Sequence, residues 1–262
     1  MSAGAPAASA VGGIPAVRME EAGLNALQTQ WQLFYDGWLL RLSAGVARRA
    51  RSVNPHFGST QPLAAKIAHC ERVYAQHGLP LLFRMTPFVQ PAGLDAELAA
   101  RGFVEFDESL VQAVAMARPP AVPAHEAAVE APDANAFIDA VCDLRESTPV
   151  QREAMRERLL HTPLSTRFAV VRAEGRPVCT AQVALEGPLV GLYDVVTAPA
   201  ARGRGYATLA CTTLLSWAWQ HGAQVAYLQV NATNAPALAI YARLGFATVY
   251  AYRYRARPES FA

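Results

Sequence analysis

The sequence predicts an α/β (α+β) chain made of two similar halves, each a central twisted mixed sheet flanked by helices. Three observations carry this. A strand, a glycine turn and a helix follow one another over residues 189–220. A second strand, a short capped helix, a Gly-Phe pair and a last strand then complete the unit. The same order recurs, with different residues at the turn, over residues 19–119.

Leu189 to Thr197 (L-V-G-L-Y-D-V-V-T) is an apolar run of strand length, closed by Ala198-Pro199. Tyr206 to Gln220 has helical length and composition and ends at His221-Gly222. Between them lies Arg202-Gly203-Arg204-Gly205. Such a turn aims unpaired backbone N–H groups and a helix N-terminus at one point, which makes an anion site that a pyrophosphate fits. Gly203 and Gly205 permit unusual backbone angles and close approach of a ligand. Arg202 and Arg204 add positive charge. By itself the turn equally allows an ordinary strand-to-helix connection with solvated arginines.

Downstream, Ala223 to Val230 is a second strand. Asn231-Ala232-Thr233-Asn234 breaks the chain, and Ala235 to Leu244 is a short helix capped by Asn234, with Pro236 in its first turn and Gly245 at its end. Thr248 to Tyr254 is the final strand. Asn234 and Tyr241 share one helix face, two turns apart.

Here the chain resembles the GNAT superfamily of N-acetyltransferases. The family loop [Q/R]-x-x-G-x-[G/A] is matched by Arg202-Gly203-Arg204-Gly205-Tyr206-Ala207. The family run N-x-x-A-x-x-x-Y-x-x-x-G-F is matched from Asn234 through Tyr241 to Gly245-Phe246, with Asn231 a second candidate for the Asn. The resemblance covers roughly residues 124–262. It implies acetyl-CoA as cosubstrate, with Val195, Val196 and Thr197 lying along the pantetheine arm and an N–H near Val196 or Thr197 meeting the thioester oxygen. It implies that residues 202–207 hold the pyrophosphate, that Asn234 helps place the cofactor, and that Tyr241 protonates the departing sulfur. The other reading of Tyr241 is a core aromatic on an amphipathic helix. The family's Glu on the strand before the Asn is absent, since Gln229 in Leu228-Gln229-Val230 accepts no proton. Asp194 is a candidate base, or else a carboxylate satisfied by a neighbouring arginine; water is a third route. Glu186, in Glu186-Gly187-Pro188, reads as exposed.

The first half repeats the second. Gln76-His77-Gly78 lies 144 residues before Gln220-His221-Gly222, and Ala99 to Phe103 lies 143 before Ala242 to Phe246. Opposite the Arg-Gly turn stands Gly58-Ser59-Thr60-Gln61, opposite Tyr241 stands Leu98, and opposite Asn234 stands Pro91. The first copy has therefore lost the phosphate turn and the candidate acid. One coenzyme A per chain is expected, in the second half, with residues 34–53 of the first half forming the acceptor wall. Arg48, Arg49 and Arg51 read either as a solvated strand edge or as an arginine-lined pocket for an acidic substrate. Asp36-Gly37 reads as a hairpin turn.

The division is then a disordered tail at 1–18, a degenerate domain at 19–119, and a catalytic domain at 120–262, with Pro119, Pro120 and Pro123 as the linker. A net charge of +2 argues against bulk nucleic-acid binding. No apolar run reaches transmembrane length, so no membrane is expected. Cys70, Cys142, Cys179 and Cys211 are scattered without metal-ligand spacing, which fits free thiols in a cytoplasmic protein and no metal. A nucleotide-binding P-loop is a poor fit, because no Gly-Lys-Ser/Thr follows the glycines. A non-catalytic acyl-CoA sensor and a protein N-terminal acetylase remain rivals to acetylation of a small-molecule amine. Monomer and homodimer are both compatible with the sequence, which names neither the acceptor nor the acyl length.

Overall fold

The computed structural model describes residues 10–29, 31–45 and 47–261. A two-residue hairpin, β1 (Ala10–Val11) and β2 (Ile14–Pro15), leads into α1 (Ala16–Ala26). The expected tail at 1–18 is thus corrected for residues 10–18; residues 1–9 lie outside the described residues. The cause is burial. Met19, Ala22 and Ala26 of α1 pack with Tyr193, Val225 and Tyr227, a stripe the short window before residue 19 did not display.

The first half continues with β3 (Trp31–Tyr35), β4 (Trp38–Leu42), β5 (Val53–Pro55), α2 (Leu63–Gln76), β6 (Phe83–Met85), α3 (Leu94–Ala100) and β7 (Val104–Ala115). Tyr35 pairs with Trp38 across Asp36-Gly37, the expected hairpin turn. The second half comprises β8 (Ala128–Glu130), α4 (Ala134–Leu144), α5 (Pro149–Leu160), β9 (Ser165–Ala173), β10 (Arg176–Glu186), β11 (Leu189–Thr197), α6 (Tyr206–Gln220), β12 (Val225–Asn231), α7 (Ala235–Arg243) and β13 (Ala247–Ala256). Helices α2 and α6 stop at the same motif, with Gly78 and Gly222 both at positive φ beyond it.

All eleven strands from β3 to β13 form one sheet, ordered β3-β4-β5-β6-β13-β7-β12-β11-β10-β9-β8. In each half a parallel pair brackets the main helix, β5 with β6 and β11 with β12. The last strands are exchanged. Strand β7 pairs with β12, β13 pairs with β6, and β7 and β13 pair antiparallel at the centre. Residues 19–119 and 120–262 are therefore not two separate sheets, because each lends its final strand to the other.

Each half keeps its own core. One surrounds α2 with Trp38, Ile67, Tyr74 and Phe83, the other surrounds α6 with Val183, Leu192, Leu214 and Phe246. The seam between them is polar and buried. Glu20 pairs with Arg84 and accepts from the Tyr250 hydroxyl at 2.7 Å, while the Arg84 guanidinium lies 3.8 Å from the centre of the Tyr252 ring. Burial pushes the Glu20 carboxyl up, but Arg84 and the hydrogen bonds more than offset this and hold it below the usual carboxylate value. Glu186 is not a free surface group. It accepts from Asn25 at 3.0 Å and from Arg18 at 3.2 Å, tying α1 to the β10–β11 turn.

All four cysteines are buried free thiols. Among the described residues no helix is long and apolar enough to cross a membrane, and no cluster of His, Cys, Asp and Glu is placed to hold a metal ion.

Candidate active site

Gly203 and Gly205 both sit at positive φ, +78° and +82°, and Gly205 is the residue before α6. That conformation disfavours side chains and turns the backbone into the helix without a capping group. Among the described residues, no acceptor takes the N–H groups of Gly203 through Thr208; the first bond of the helix is Leu209 to Gly205. These donors line a cavity of about 470 Å³ together with Arg202, Arg204, Arg243 and residues Val195 to Thr197. The sequence reading missed what braces the turn. His125, in the linker, accepts from the Ala127 N–H at Nδ1 (3.0 Å), so its Nε2 carries the proton and donates to the Arg204 carbonyl at 2.9 Å. Only a lone His at 125 marked it in sequence.

The corresponding turn of the first half is differently filled. There the Asp36 carboxylate, from the β3–β4 hairpin, accepts from the Thr60 N–H (2.9 Å), the Gln61 N–H (3.0 Å) and the Thr60 hydroxyl (2.6 Å). Buried Lys66 lies 3.2 Å from the same carboxylate. These bonds, the Thr60 hydroxyl first, hold the Asp36 carboxyl far below its ordinary value.

Strands β11 and β12 pair only from Leu189–Val225 to Leu192–Leu228 and then part. The parting coincides with a bulge. Asp194 has φ +50°, and the β10 register shifts between Thr180 and Gln182. The Thr180 hydroxyl takes up the Asp194 carbonyl at 3.1 Å. Beyond the bulge, Ala198 N–H donates to Val178, and Thr180 pairs with Val196. By the two-residue alternation of a strand, the Val196 N–H therefore faces β10, while those of Val195 and Thr197 face the gap.

A second cavity, of about 370 Å³, opens on the other side of this gap. It is walled by Tyr193 and Asp194 of the bulge, Gln229 to Asn231 of β12, Arg145 and Arg158 near α4 and α5, and, from the first half, residues including Ser43, Ala47 and Arg49. Phe34 to Leu42 and Val53 do not line it. Those residues make the first half's strands, so the expected wall narrows to Ser43, Gly45, Ala47, Arg49 and Ala50. The arginine run is a short 3₁₀ turn with three separate fates. Arg48 pairs with Asp107 at 2.7 Å, Arg49 faces the cavity, and Arg51 is half-buried.

Four residues line both cavities: Val195, Asn234, Ala237 and Tyr241. Tyr241 is packed in the second core, yet no described residue hydrogen-bonds its hydroxyl. Burial pushes that hydroxyl well above the ordinary tyrosine value, so it is protonated throughout the neutral range. Asn234 caps α7, accepting from Ala237 at 3.3 Å. Asn231 is committed elsewhere, donating to Asp107 at 2.6 Å and accepting from Thr233.

Asp194 is not placed to act as a base. Arg158 holds one carboxylate oxygen at 2.6 Å and Arg145 the other at 2.8 Å. Burial raises its pKa, but the two guanidiniums overwhelm that effect and pull it far below the carboxylate range. A group that releases its proton so readily takes none from an ammonium at neutral pH, so the candidate catalytic role of Asp194 is withdrawn. Gln229 is occupied with Arg84 at 3.4 Å.

The glycine turn before α6 and the capped helix from Asn234 to Tyr241 stand in the order in which the sequence resembles GNAT N-acetyltransferases, and the comparisons agree. The family model described as "Probable histone acetyltransferase Rv0428c C-terminal" matches residues 16–255, across both halves. The uncharacterized N-acetyltransferase YobR of Bacillus subtilis (strain 168) is 28% identical over 246 residues, 91% of this chain and 97% of that protein. A GCN5-related N-acetyltransferase from Kribbella flavida has the same fold, with TM-score 0.70 at 18% identity over 93% of this chain and 95% of its own. A tandem GNAT protein from the clavulanic acid biosynthesis pathway gives TM-score 0.59 at 20% identity over 73% of this chain and 68% of that one. The chain belongs to the family of that model, within the GNAT superfamily of N-acetyltransferases.

Proposed function

We propose that the chain transfers an acetyl group from acetyl-CoA to the amine of a small-molecule or amino-acid-like acceptor by direct attack, with Tyr241 as general acid. One observation carries this: the cavity at the glycine turn and the cavity under the first half meet at Val195, Asn234, Ala237 and Tyr241. Acetyl-CoA, when bound, supplies an acyl group already activated as a thioester. The unpaired N–H groups of Gly203 through Thr208, with Arg202 and Arg204, suit its pyrophosphate. The N–H groups of Val195 and Thr197 lack a β12 partner and are placed to pair with an extended arm and to stabilise a carbonyl oxygen. Tyr241, kept protonated by burial, has a hydroxyl free to donate where the two spaces join.

No group lining the acceptor cavity is a competent base, since Asp194 is ion-paired and Gln229 is neutral. The amine is therefore deprotonated by solvent before it attacks. That leaves a non-catalytic sensor as the competing outcome. Thiol release from acetyl-CoA in the presence of an amine panel separates them. Turnover that collapses in Tyr241→Phe at unchanged coenzyme A affinity supports catalysis; affinity without turnover from any amine supports the sensor.

A further inference from the structure

We infer that the acceptor amine carries an oxyanion, a carboxylate or a phosphate, and that Arg49 of the first half binds it. The inference rests on the acetyl-transfer reading above and names the substrate class of that same site.

Among the described residues, Arg51 also keeps a buried nitrogen without a partner but does not line the cavity; Arg49 does line it, and no carboxylate offsets its charge. Its Nη1 is buried without a hydrogen-bond partner, and no described carboxylate pairs with it; its aromatic contact is the Tyr193 ring, 5.9 Å away. Its buried neighbours are provided for. Arg84 has Glu20, and Arg41 donates to the Leu27 and Leu24 carbonyls at 2.9 and 2.6 Å. A desolvated guanidinium left unpaired is costly, so retaining one beside a cavity points to an anion that arrives from outside.

The cavity's own charges give the same direction. Three guanidiniums line it, those of Arg49, Arg145 and Arg158, against one carboxylate. That carboxylate, Asp194, has both oxygens engaged by Arg145 and Arg158, so none of it is left for Arg49. The remaining polar groups are neutral, among them Gln28, Gln151 and Asn231. A surplus of positive charge repels a lysine-rich peptide and attracts an amine that also bears an anion. Guanidinium geometry matches a carboxylate or phosphate through paired N–H bonds. The position also gives the first half a part in the site, since Arg49 is the cation it contributes to a cavity shared with the second.

The test compares acetylation of glycine, β-alanine, γ-aminobutyrate and glutamate with that of their carboxamides, of phosphoethanolamine with ethanolamine, and of a lysine-rich peptide. Wild-type protein should favour at least one anionic amine over its neutral counterpart by tenfold or more in kcat/KM, carried mainly by KM. Arg49→Gln should erase that ratio, and Arg49→Lys should restore part of it. Coenzyme A affinity and the unfolding temperature serve as controls that the variants fold. Preference within the amino acids assigns the anion as a carboxylate; preference for phosphoethanolamine assigns it as a phosphate. Equal rates for charged and neutral amines, a peptide acetylated best, or a ratio unchanged in Arg49→Gln would each overturn the inference while leaving acetyl transfer intact. Coenzyme A binding with no amine acetylated would instead overturn the acetyl-transfer reading, and this inference with it.

Discussion

The turns that precede α2 and α6 occupy equivalent places in the two halves, yet one is filled from within and the other is open. Before α2, Asp36 reaches over from the β3–β4 hairpin and takes the N–H groups of Thr60 and Gln61. Before α6, the N–H groups from Gly203 to Thr208 have no protein acceptor among the described residues. A strand–turn–helix unit leaves the same donors unpaired in both cases, to be met by a side chain, water or a ligand. The first copy supplies its own anion. The second leaves the place for a ligand. The two turns differ by more than their glycines, because the first also has a carboxylate of the β3–β4 hairpin built against it.

The comparison can be broken or sharpened at four points. The largest effect is expected at the other internal carboxylate, Asp194. Asp194→Asn leaves Arg145 and Arg158 uncompensated and should cost on the order of 3 kcal/mol at pH 7, measured by chemical denaturation. The folded-state pKa of Asp194 is depressed, so its contribution is present above the unfolded value of about 4 and is lost as pH falls through the folded value. The variant's stability should accordingly fall less steeply than wild type below that pH. If Asp194→Asn kept full stability and lost turnover instead, Asp194 would regain its place as a base.

Next is Tyr241→Phe, which keeps the ring in the core and should lower turnover on the order of a hundredfold with coenzyme A affinity unchanged. A variant with normal turnover would make Tyr241 a core residue, like Leu98 in the first copy. The third point contrasts the glycines. Gly205 is at φ +82°, and a Cβ there would meet nothing nearer than the His125 ring at 3.9 Å. Gly205→Val should therefore weaken coenzyme A binding about tenfold to a hundredfold through strain and blocked approach, while Gly58→Val, in open space, should leave calorimetry unchanged. The smallest effect is expected for Asp36→Asn, because Lys66 keeps the Asp36 carbonyl and the Ser59 hydroxyl as acceptors: a modest fall in unfolding temperature and still one coenzyme A per chain. A second molecule bound in that variant would show that Asp36 alone kept the first turn closed.

Much of the second half was legible because its signals are local. Leu189–Thr197 and Tyr206–Gln220 have the bounds the apolar runs and the glycines indicated, and Asn234 caps its helix. The repeat was legible for the same reason, since Gln-His-Gly ends both main helices. Arg48, Arg49 and Arg51 are open in sequence to two readings, a solvated strand edge or an arginine-lined pocket; the chain makes a 3₁₀ turn over Arg48–Ala50, enters β5 only at Val53, and turns Arg49 to the cavity. A three-residue turn whose side chains diverge to Asp107 and to the cavity carries no period to read.

What the sequence by itself determined is therefore the two copies, the glycine turn, and the placing of Asn234 and Tyr241 on one helix face. Spacing along a chain specifies backbone conformation over one or two elements. Tertiary structure alone decided that β7 and β13 are exchanged, that Asp194 is locked between Arg145 and Arg158, that Asp36 fills the first turn, and that Arg49 faces the cavity beside β11 unpaired. Each of these joins residues far apart in the chain. A charge's role depends on which partner the fold brings within a few ångströms, and that partner has no fixed distance in sequence.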